Sequence, residues 1–565
     1  MTNAVPAVAL IGKLVEIVGP RHVLTSRAQT QPFATGYRFG RGPVVAVVRP
    51  ASLLEQWRAF VACIEHDHIV IVQAANTGLT GGSTPFGTYD RGVVVINTMR
   101  IGGIHLVRDG HQAICLSGAT LHDLESRLAP LGREPHSVIG SSCVGASVVG
   151  GICNNSGGAL IRRGPAYTEC ALFARVDASG AVHLENHLGL RLGTDPESIL
   201  RRLERGDFTD ADLTADDRPA SGRGYDQRVR QIDSQTPARF NADPTWLFEA
   251  AGCAGRLMVL AVRVDTFPAE QRSAAFYIGT NDPADLTRLR RRMLGEFEHL
   301  PVAAEYMHRD AYRLAETYGK DSYLVIKWLG TRLLPRLFAV KQRFNQFVGR
   351  VPGVGPDFSE RMLQFAARFW PSHLPRRMNE FRDQFEHHLI LKVSDECIEP
   401  ARSLVQQMFP SPEGAAFECT PEEAQSAFRH RFVMAGAAIR FQSIECNRVG
   451  DLIALDVSLR RDDTEWFERL PAEVGQQLEG AFYYGHFFCH VLHQDYVLRR
   501  GVDAESVKHR LLDLLAGRGA KYPAEHNVGH LYEAEPSLAT HYRSLDPANA
   551  LNPGIGRTSR NRGWA

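Results

Sequence analysis

Gln73-Ala74-Ala75-Asn76-Thr77-Gly78-Leu79-Thr80-Gly81-Gly82-Ser83 follows directly on a β-branched run, His68–Val72, and almost none of its side chains is large. A loop this bare lets successive backbone N–H groups close on an anion, which is how proteins cradle a pyrophosphate. A second such stretch fills 137–158: Ser-Val-Ile-Gly-Ser-Ser-Cys-Val-Gly-Ala-Ser-Val-Val-Gly-Gly-Ile-Cys-Asn-Asn-Ser-Gly-Gly. Gly140–Gly145 spans GxxxxG but lacks the Lys-Ser/Thr of a Walker loop, and Gly145, Gly150 and Gly151 miss the GxGxxG spacing of a dinucleotide fingerprint. A tight turn would account for one such loop. Two in one domain point to a ligand.

Working outward, Val44–Val48, Val93–Asn97, Ile104–Val107 and Ala113–Ser117 read as strands, with helices between them. Ser52-Leu53-Leu54-Glu55 is a capping box that opens a helix whose apolar face is Leu53, Leu54, Trp57, Phe60, Val61 and Ile64. A further helix is expected from Leu121 to Leu131. This part is α/β. Residues 207–245 are polar and read as an exposed excursion with little core of its own. Leu257–Val264 restores a strand, and from about residue 270 the texture becomes α+β, with a helix over Asp285–Glu298 and a strand at His388–Val393.

The chain has 565 residues, enough for two to four domains. Its 64 basic and 63 acidic residues leave a net charge of +1, with 44% hydrophobic residues, an ordinary globular composition. That excludes a strongly basic nucleic-acid binder, a disordered chain and a collagen. No apolar run reaches the eighteen or so residues of a spanning helix, and the first twenty residues read as an amphipathic helix rather than a secretory signal. Ten scattered cysteines fit reduced, mostly buried thiols of a cytosolic compartment. The even balance hides one strip: residues 327–382 carry eleven Lys or Arg against three acids, interleaved with aromatics such as Trp328, Phe338, Phe365 and Trp370. Two readings stay open there, a solvated helical face over its own core and a patch that lies on an anionic membrane.

The motifs Asn-Thr-Gly-Leu-Thr-Gly-Gly-Ser at 76–83, Gly-Ala-Thr-Leu at 118–121, Gly-Ala-Ser-Val-Val-Gly-Gly at 145–151 and Asn-Asn-Ser-Gly-Gly at 154–158 resemble the FAD-binding domain of the vanillyl-alcohol-oxidase-type flavoenzymes. Gln73–Pro85, Gly132–Gly140, Gly164–Glu169, Ala524–His530 and Asn552–Gly556 are similar, more closely, to the quinone-dependent respiratory D-lactate dehydrogenases, nearly end to end. The resemblance implies an α+β fold: a two-subdomain FAD-binding domain over 1–265, completed by 516–565, under a cap with an antiparallel sheet. The cap would come in parts, 266–307, 383–420 and 445–515, with a basic helical membrane-contact insertion at 308–382 joined by about 421–444. It implies noncovalent FAD, its pyrophosphate on Ala74, Ala75, Asn76, Thr77, Gly78, Gly82 and Ser83, with Gly140, Ser147, Gly157 and Val259 along the rest. The implied reaction oxidises D-lactate to pyruvate and passes electrons to a membrane quinone. The implied partners are D-lactate, quinone and anionic headgroups against 327–382, at the cytoplasmic face of the inner membrane, with no nucleic acid. An FAD enzyme for another 2-hydroxy acid or alcohol is the alternative; a flavin- or lipid-binding scaffold without turnover is a third reading.

Relatives of that fold tether flavin through His in the first loop or Cys in the second. The first loop has no His, and Cys143 is expected to be a small buried thiol. For the chemistry, the protein must supply a base, a carboxylate clamp and orientation. In Glu525-His526-Asn527-Val528-Gly529-His530 a carboxylate stands beside an imidazole and can fix its tautomer. His526 is therefore expected as base, oriented by Glu525, with His388 and His530 as further candidates, and Arg440 as the carboxylate clamp. His486, His490 and His493 share one face at helical spacing, which suits a metal, but their aromatic neighbours fit a buried strand as well; no metal is expected.

Overall fold

Three sheets carry the chain in the computed structural model, which describes residues 4–136, 145–214, 217–329, 358–367, 369–370 and 372–565. The first comprises β1 (Val23–Leu24), β2 (Ala46–Val48), β3 (Ile69–Gln73) and β4 (Val93–Asn97) in the order β1-β2-β4-β3. β2, β4 and β3 run parallel, and β2 and β4 are buried throughout, as strands covered on both faces must be. The crossover from β2 to β3 is the helix Leu53–Glu65. Ser52 Oγ accepts the Glu55 N–H at 3.1 Å as expected. The Glu55 carboxylate reaches back one residue further than a capping box requires, to the Ala51 N–H at 2.7 Å.

The second sheet comprises β5 (Ile104–Val107), β6 (Gln112–Leu116), β7 (Arg133–Pro135), β8 (Ala171–Val176), β9 (Val182–Asn186) and β10 (Met258–Pro268). Its order is β5-β6-β10-β8-β9, all antiparallel, with β7 paired to the far end of β10. The C-terminal segment returns to the first sheet, where Asn552 N–H and Ala550 C=O bond the backbone of Val70.

The third sheet is antiparallel and seven-stranded: β11 (Ser273–Thr280), β12 (Ala303–His308), β13 (His387–Ser394), β14 (Gly414–Glu418), β15 (Val449–Ser458), β16 (Leu478–His486) and β17 (Val491–Arg499), in the order β14-β11-β13-β12-β16-β17-β15. The period-two alternation sends Leu389, Leu391 and Val393 to one face, among the buried side chains of helices Pro283–Glu296 and Ile398–Met408. Ile390, Tyr277 and Met307 go to the other, beneath helices Arg309–Tyr318, Pro421–Phe432 and Met434–Ile444. Among the described residues no helix is long and apolar enough to cross a membrane, and seven of the nine described cysteines are buried, none of the nine in a disulfide.

One expectation changes, and of two open readings one holds. The 207–245 excursion is not all exposed: helix Tyr225–Arg230 and the Ala238–Asp243 stretch tuck inward, with Arg239 fully buried. Its polarity misled because Arg239 has a buried carboxylate to meet. His486, His490 and His493 lie on no helix, since β16 and β17 form a hairpin there and place His490 at its bend, at φ 52°.

Candidate active site

A cavity of about 1740 Å³ runs between the glycine loops and the third sheet. The first loop is closed on itself by Gln73, whose amide donates to Phe33 O at 2.9 Å and Ser83 O at 2.8 Å. Asn76 sits at φ 55°, donates to Thr35 O at 2.9 Å and accepts from Ser83 Oγ at 3.2 Å. A Cβ placed on Gly78 would meet no atom within 4 Å, so this backbone faces open cavity. On the second loop, Ser147 caps the short helix Val148–Cys153 by accepting the Gly150 N–H at 2.9 Å. Ala74, Ala75, Asn76, Thr77, Gly78, Gly82, Ser83, Ser147, Gly157 and Val259 all line this cavity. Gly140 and Cys143 lie outside the described residues. A bare-backbone cradle facing open space on two loops fits an FAD.

Gly157 has a second role that spacing could not reveal. A Cβ there would stand 2.6 Å from Glu525 Oε1. The glycine lets Glu525 press against the loop, where Arg239 Nη2 donates to the same oxygen and His486 Nε2 lies 3.2 Å from Oε2. Burial opposes charge on Glu525, yet the His486 and Arg239 cations outweigh it and hold its pKa far below the usual range. His486 is flanked on its other side by Glu305, Nδ1 to Oε1 2.5 Å. Against the cost of burial, the two carboxylates push the imidazole up to about 10.

Glu525 therefore does not orient His526. Asp456 does: its Oδ2 lies 2.6 Å from His526 Nδ1 and also accepts the Glu525 N–H at 2.8 Å. Burial disfavours the imidazolium, but Asp456 more than compensates and raises the His526 pKa. His493 Nδ1 approaches Asp456 Oδ1 at 3.4 Å, and burial takes it down to about 4. His486, His493 and Glu525 offer one ligand atom each within 4.8 Å of one another, a group that can hold a metal ion. Arg431 reaches the same wall, its Nε 3.1 Å from Glu305 Oε2 and its guanidinium 4.6 Å from the centre of the Tyr484 ring.

Two expected residues stand elsewhere, and a third is already engaged. His388 is buried between Tyr277 and Tyr312 in the cap core, away from the cavity lining, and burial lowers its pKa to about 3. The register of β13 sends it to the face of Ile390, beneath helices Arg309–Tyr318 and Pro421–Phe432. His530 stacks on Phe86 and bonds Thr84 O at 3.0 Å, pinning the C-terminal segment to the first loop from behind. Arg440 does line the cavity, but Asp321, Glu360 and the Tyr318 carbonyl hold its guanidinium. Asp456, Glu305 and Arg431 were missed. The first two left a signal, an acid inside an apolar strand, in Leu455-Asp456-Val457 and Ala304-Glu305-Tyr306.

Arrangement and cradle define a flavoenzyme of the two-part FAD-domain and cap type. The fold is similar to that of 4-ethylphenol oxidase from Gulosibacter chungangensis (TM-score 0.59, 13% identity, 98% of each chain covered) and of p-cresol methylhydroxylase (TM-score 0.58, 13% identity, 98% of this chain and 97% of that one). Residues 44–184 match the FAD binding domain family, and residues 275–564 the family described as D-lactate dehydrogenase, membrane binding. The chain is 52% identical to quinone-dependent D-lactate dehydrogenase of Escherichia coli K12 over 557 residues, 98% of both chains. It is 51% identical to that of Haemophilus influenzae, over 98% of this chain and 99% of the relative. The chain belongs to the quinone-dependent D-lactate dehydrogenase family.

Proposed function

We propose that the protein oxidises D-lactate to pyruvate with noncovalent FAD and delivers the electrons to a membrane quinone, as a peripheral protein on the cytoplasmic face of the membrane. Residues 1–265 with 516–565 read as the flavin domain. The cap parts are 266–307, 383–420 and 445–515, and 308–382 with about 421–444 form the membrane-contact part, touching anionic headgroups through 327–382. The observation that carries the reading is that the His526–Asp456 pair opens into the same cavity as both glycine loops.

Ala74–Gly78, Gly82, Ser83, Ser147, Gly157 and Val259 would hold the FAD, which when bound supplies a two-electron acceptor for the α-hydrogen as hydride. The residues supply the rest. Neutral His526, with its Nδ1–H fixed by Asp456, presents Nε2 to the substrate hydroxyl and takes its proton. Arg431, already at the cavity wall, clamps the carboxylate with its planar fork. Imidazolium His486, between Glu305 and Glu525, keeps positive charge beside the developing keto acid. Noncovalent binding is supported by the first loop's lack of His.

The test is anaerobic. The purified protein should show a flavin spectrum that D-lactate bleaches, and denaturation should release the FAD into the supernatant. Flavin that D-lactate leaves oxidised would overturn the substrate and favour another 2-hydroxy acid.

A further inference from the structure

The cavity does not stop at the flavin loops and the His526 wall. Another part of its lining is apolar: Val325 and Ile326 from helix Lys320–Leu329, Leu363 from helix Phe358–Ala367, Phe428 and Phe432 from helix Pro421–Phe432, and Ile439 from helix Met434–Ile444. Nine large hydrophobic side chains are exposed among the described residues, and six stand on these helices or the turn after them. They are Trp328, Met362, Phe365, Phe369, Phe432 and Ile439, with Phe369 exposed by 74% and Trp328 by 68%. A concentrated apolar surface of this kind marks a contact with a partner or a membrane. Arg440, on the same limb, is tied to Asp321 and Glu360 and presents no open cation to an anionic ligand.

We infer that this apolar limb is the docking channel of the quinone. The ring reaches the flavin loops, and the isoprenoid tail lies along Val325, Ile326, Phe428 and Ile439 toward the exposed rim. The inference rests on the proposed function and deepens it. Three features select the occupant. The limb is continuous with the cavity where the electrons arise. The acceptor is dissolved in the bilayer, and no described helix is long and apolar enough to cross it. The rim is aromatic and aliphatic, flanked by Lys327 and Arg429, which suits the headgroup boundary. The balance closes within the cavity: D-lactate loses a hydride to flavin and a proton to His526. That hydride equivalent and one proton then reduce quinone to quinol, restoring oxidised flavin and neutral His526.

Val325→Trp and Ile439→Trp holoenzymes test it by stopped flow in detergent micelles. Flavin content and the rate of flavin reduction by D-lactate are expected to stay at the parent level. Reoxidation by a decyl-tailed ubiquinone analogue is expected to slow roughly tenfold or more, the equivalent of about 1.4 kcal/mol. Parent-like reoxidation in both variants would overturn the channel. Failure of D-lactate to reduce the unsubstituted holoenzyme would instead overturn the function on which it rests. A photoreactive azido-quinone with the same tail keeps the question decidable if a variant misfolds. It should label peptides from 320–329 and 421–444 of the unsubstituted protein, in competition with unlabelled quinone. Labelling elsewhere, or displacement by phosphatidylcholine alone, would overturn it and leave a lipid groove.

Discussion

His526 Nδ1 and Asp456 Oδ2 stand 2.6 Å apart although 70 residues of chain separate them. One carboxylate thus fixes the imidazole tautomer and, through the Glu525 N–H, the backbone that carries it. A pair with this geometry governs both the efficiency of the base and the pH at which it becomes available.

The pH dependence follows with its sign. Asp456 raises the His526 pKa above its ordinary 6.5, so the neutral base appears only above that value. kcat/KM for D-lactate should therefore rise with pH along an acid limb lying above 6.5. Asp456→Asn removes the raising partner and leaves burial, which lowers the pKa, so the limb should move to lower pH. Its plateau should fall by about 10² or more as the tautomer is released. An acid limb that stays in place in Asp456→Asn would show that another group titrates.

Two glycines should respond in opposite ways. Gly157→Ala forces a Cβ to within 2.6 Å of Glu525 Oε1, and Glu525 cannot step back because Arg239 and His486 hold it. A loss of about 1–3 kcal/mol of stability is expected, read as a lower Tm. Gly78→Ala meets nothing within 4 Å, so the fold should keep its Tm. The added methyl would enter the flavin cradle, and the purified protein should carry less FAD.

The fold was legible where backbone demands show in composition. Loops 73–83 and 145–158 need bare residues, and ten of the eleven expected cofactor positions line one cavity. The catalytic wall was harder, because its contacts are long-range. Glu525 and His526 are adjacent in sequence, yet their side chains turn to different partners, Arg239 and Asp456, which pairing by proximity along the chain cannot find. Arg440 misled for the converse reason: nothing local announces that Asp321 and Glu360 will claim it.

The arginines separate by kinetics. Arg431→Gln should raise KM for D-lactate by roughly tenfold to a hundredfold, the worth of a hydrogen bond to a charged group, about 1.5–3 kcal/mol. Arg440→Gln should leave KM for D-lactate unchanged while lowering Tm, because it strands Asp321 in a buried site. Steady-state kinetics beside thermal denaturation distinguishes the two, and a raised KM in Arg440→Gln alone would return the clamp to Arg440.

The basic strip is less free than its sequence count suggests. Five of its eleven cations lie in the described residues, and four find acids, some from outside the strip: Lys327 with Glu422 at 3.5 Å, Arg377 with Glu423, Arg382 with Glu316, and Arg376 with Glu380 at 2.7 Å. Arg377 also stacks on Phe417, 4.1 Å from the ring centre, and its partner Glu423 completes the capping box of helix Pro421–Phe432. Arg376 is 92% exposed and, among the described residues, pairs along its own helix, so water screens that pair. Arg376→Glu should therefore weaken binding to anionic vesicles and spare Tm. Reversing one charge near the surface is worth about 2 kcal/mol, roughly 30-fold in partitioning. Arg377→Glu should lower Tm as well, by setting two carboxylates against each other. Vesicle sedimentation at low and high salt reads the first effect. Binding that salt does not weaken would mean that the exposed aromatics, not these cations, hold the protein to the bilayer.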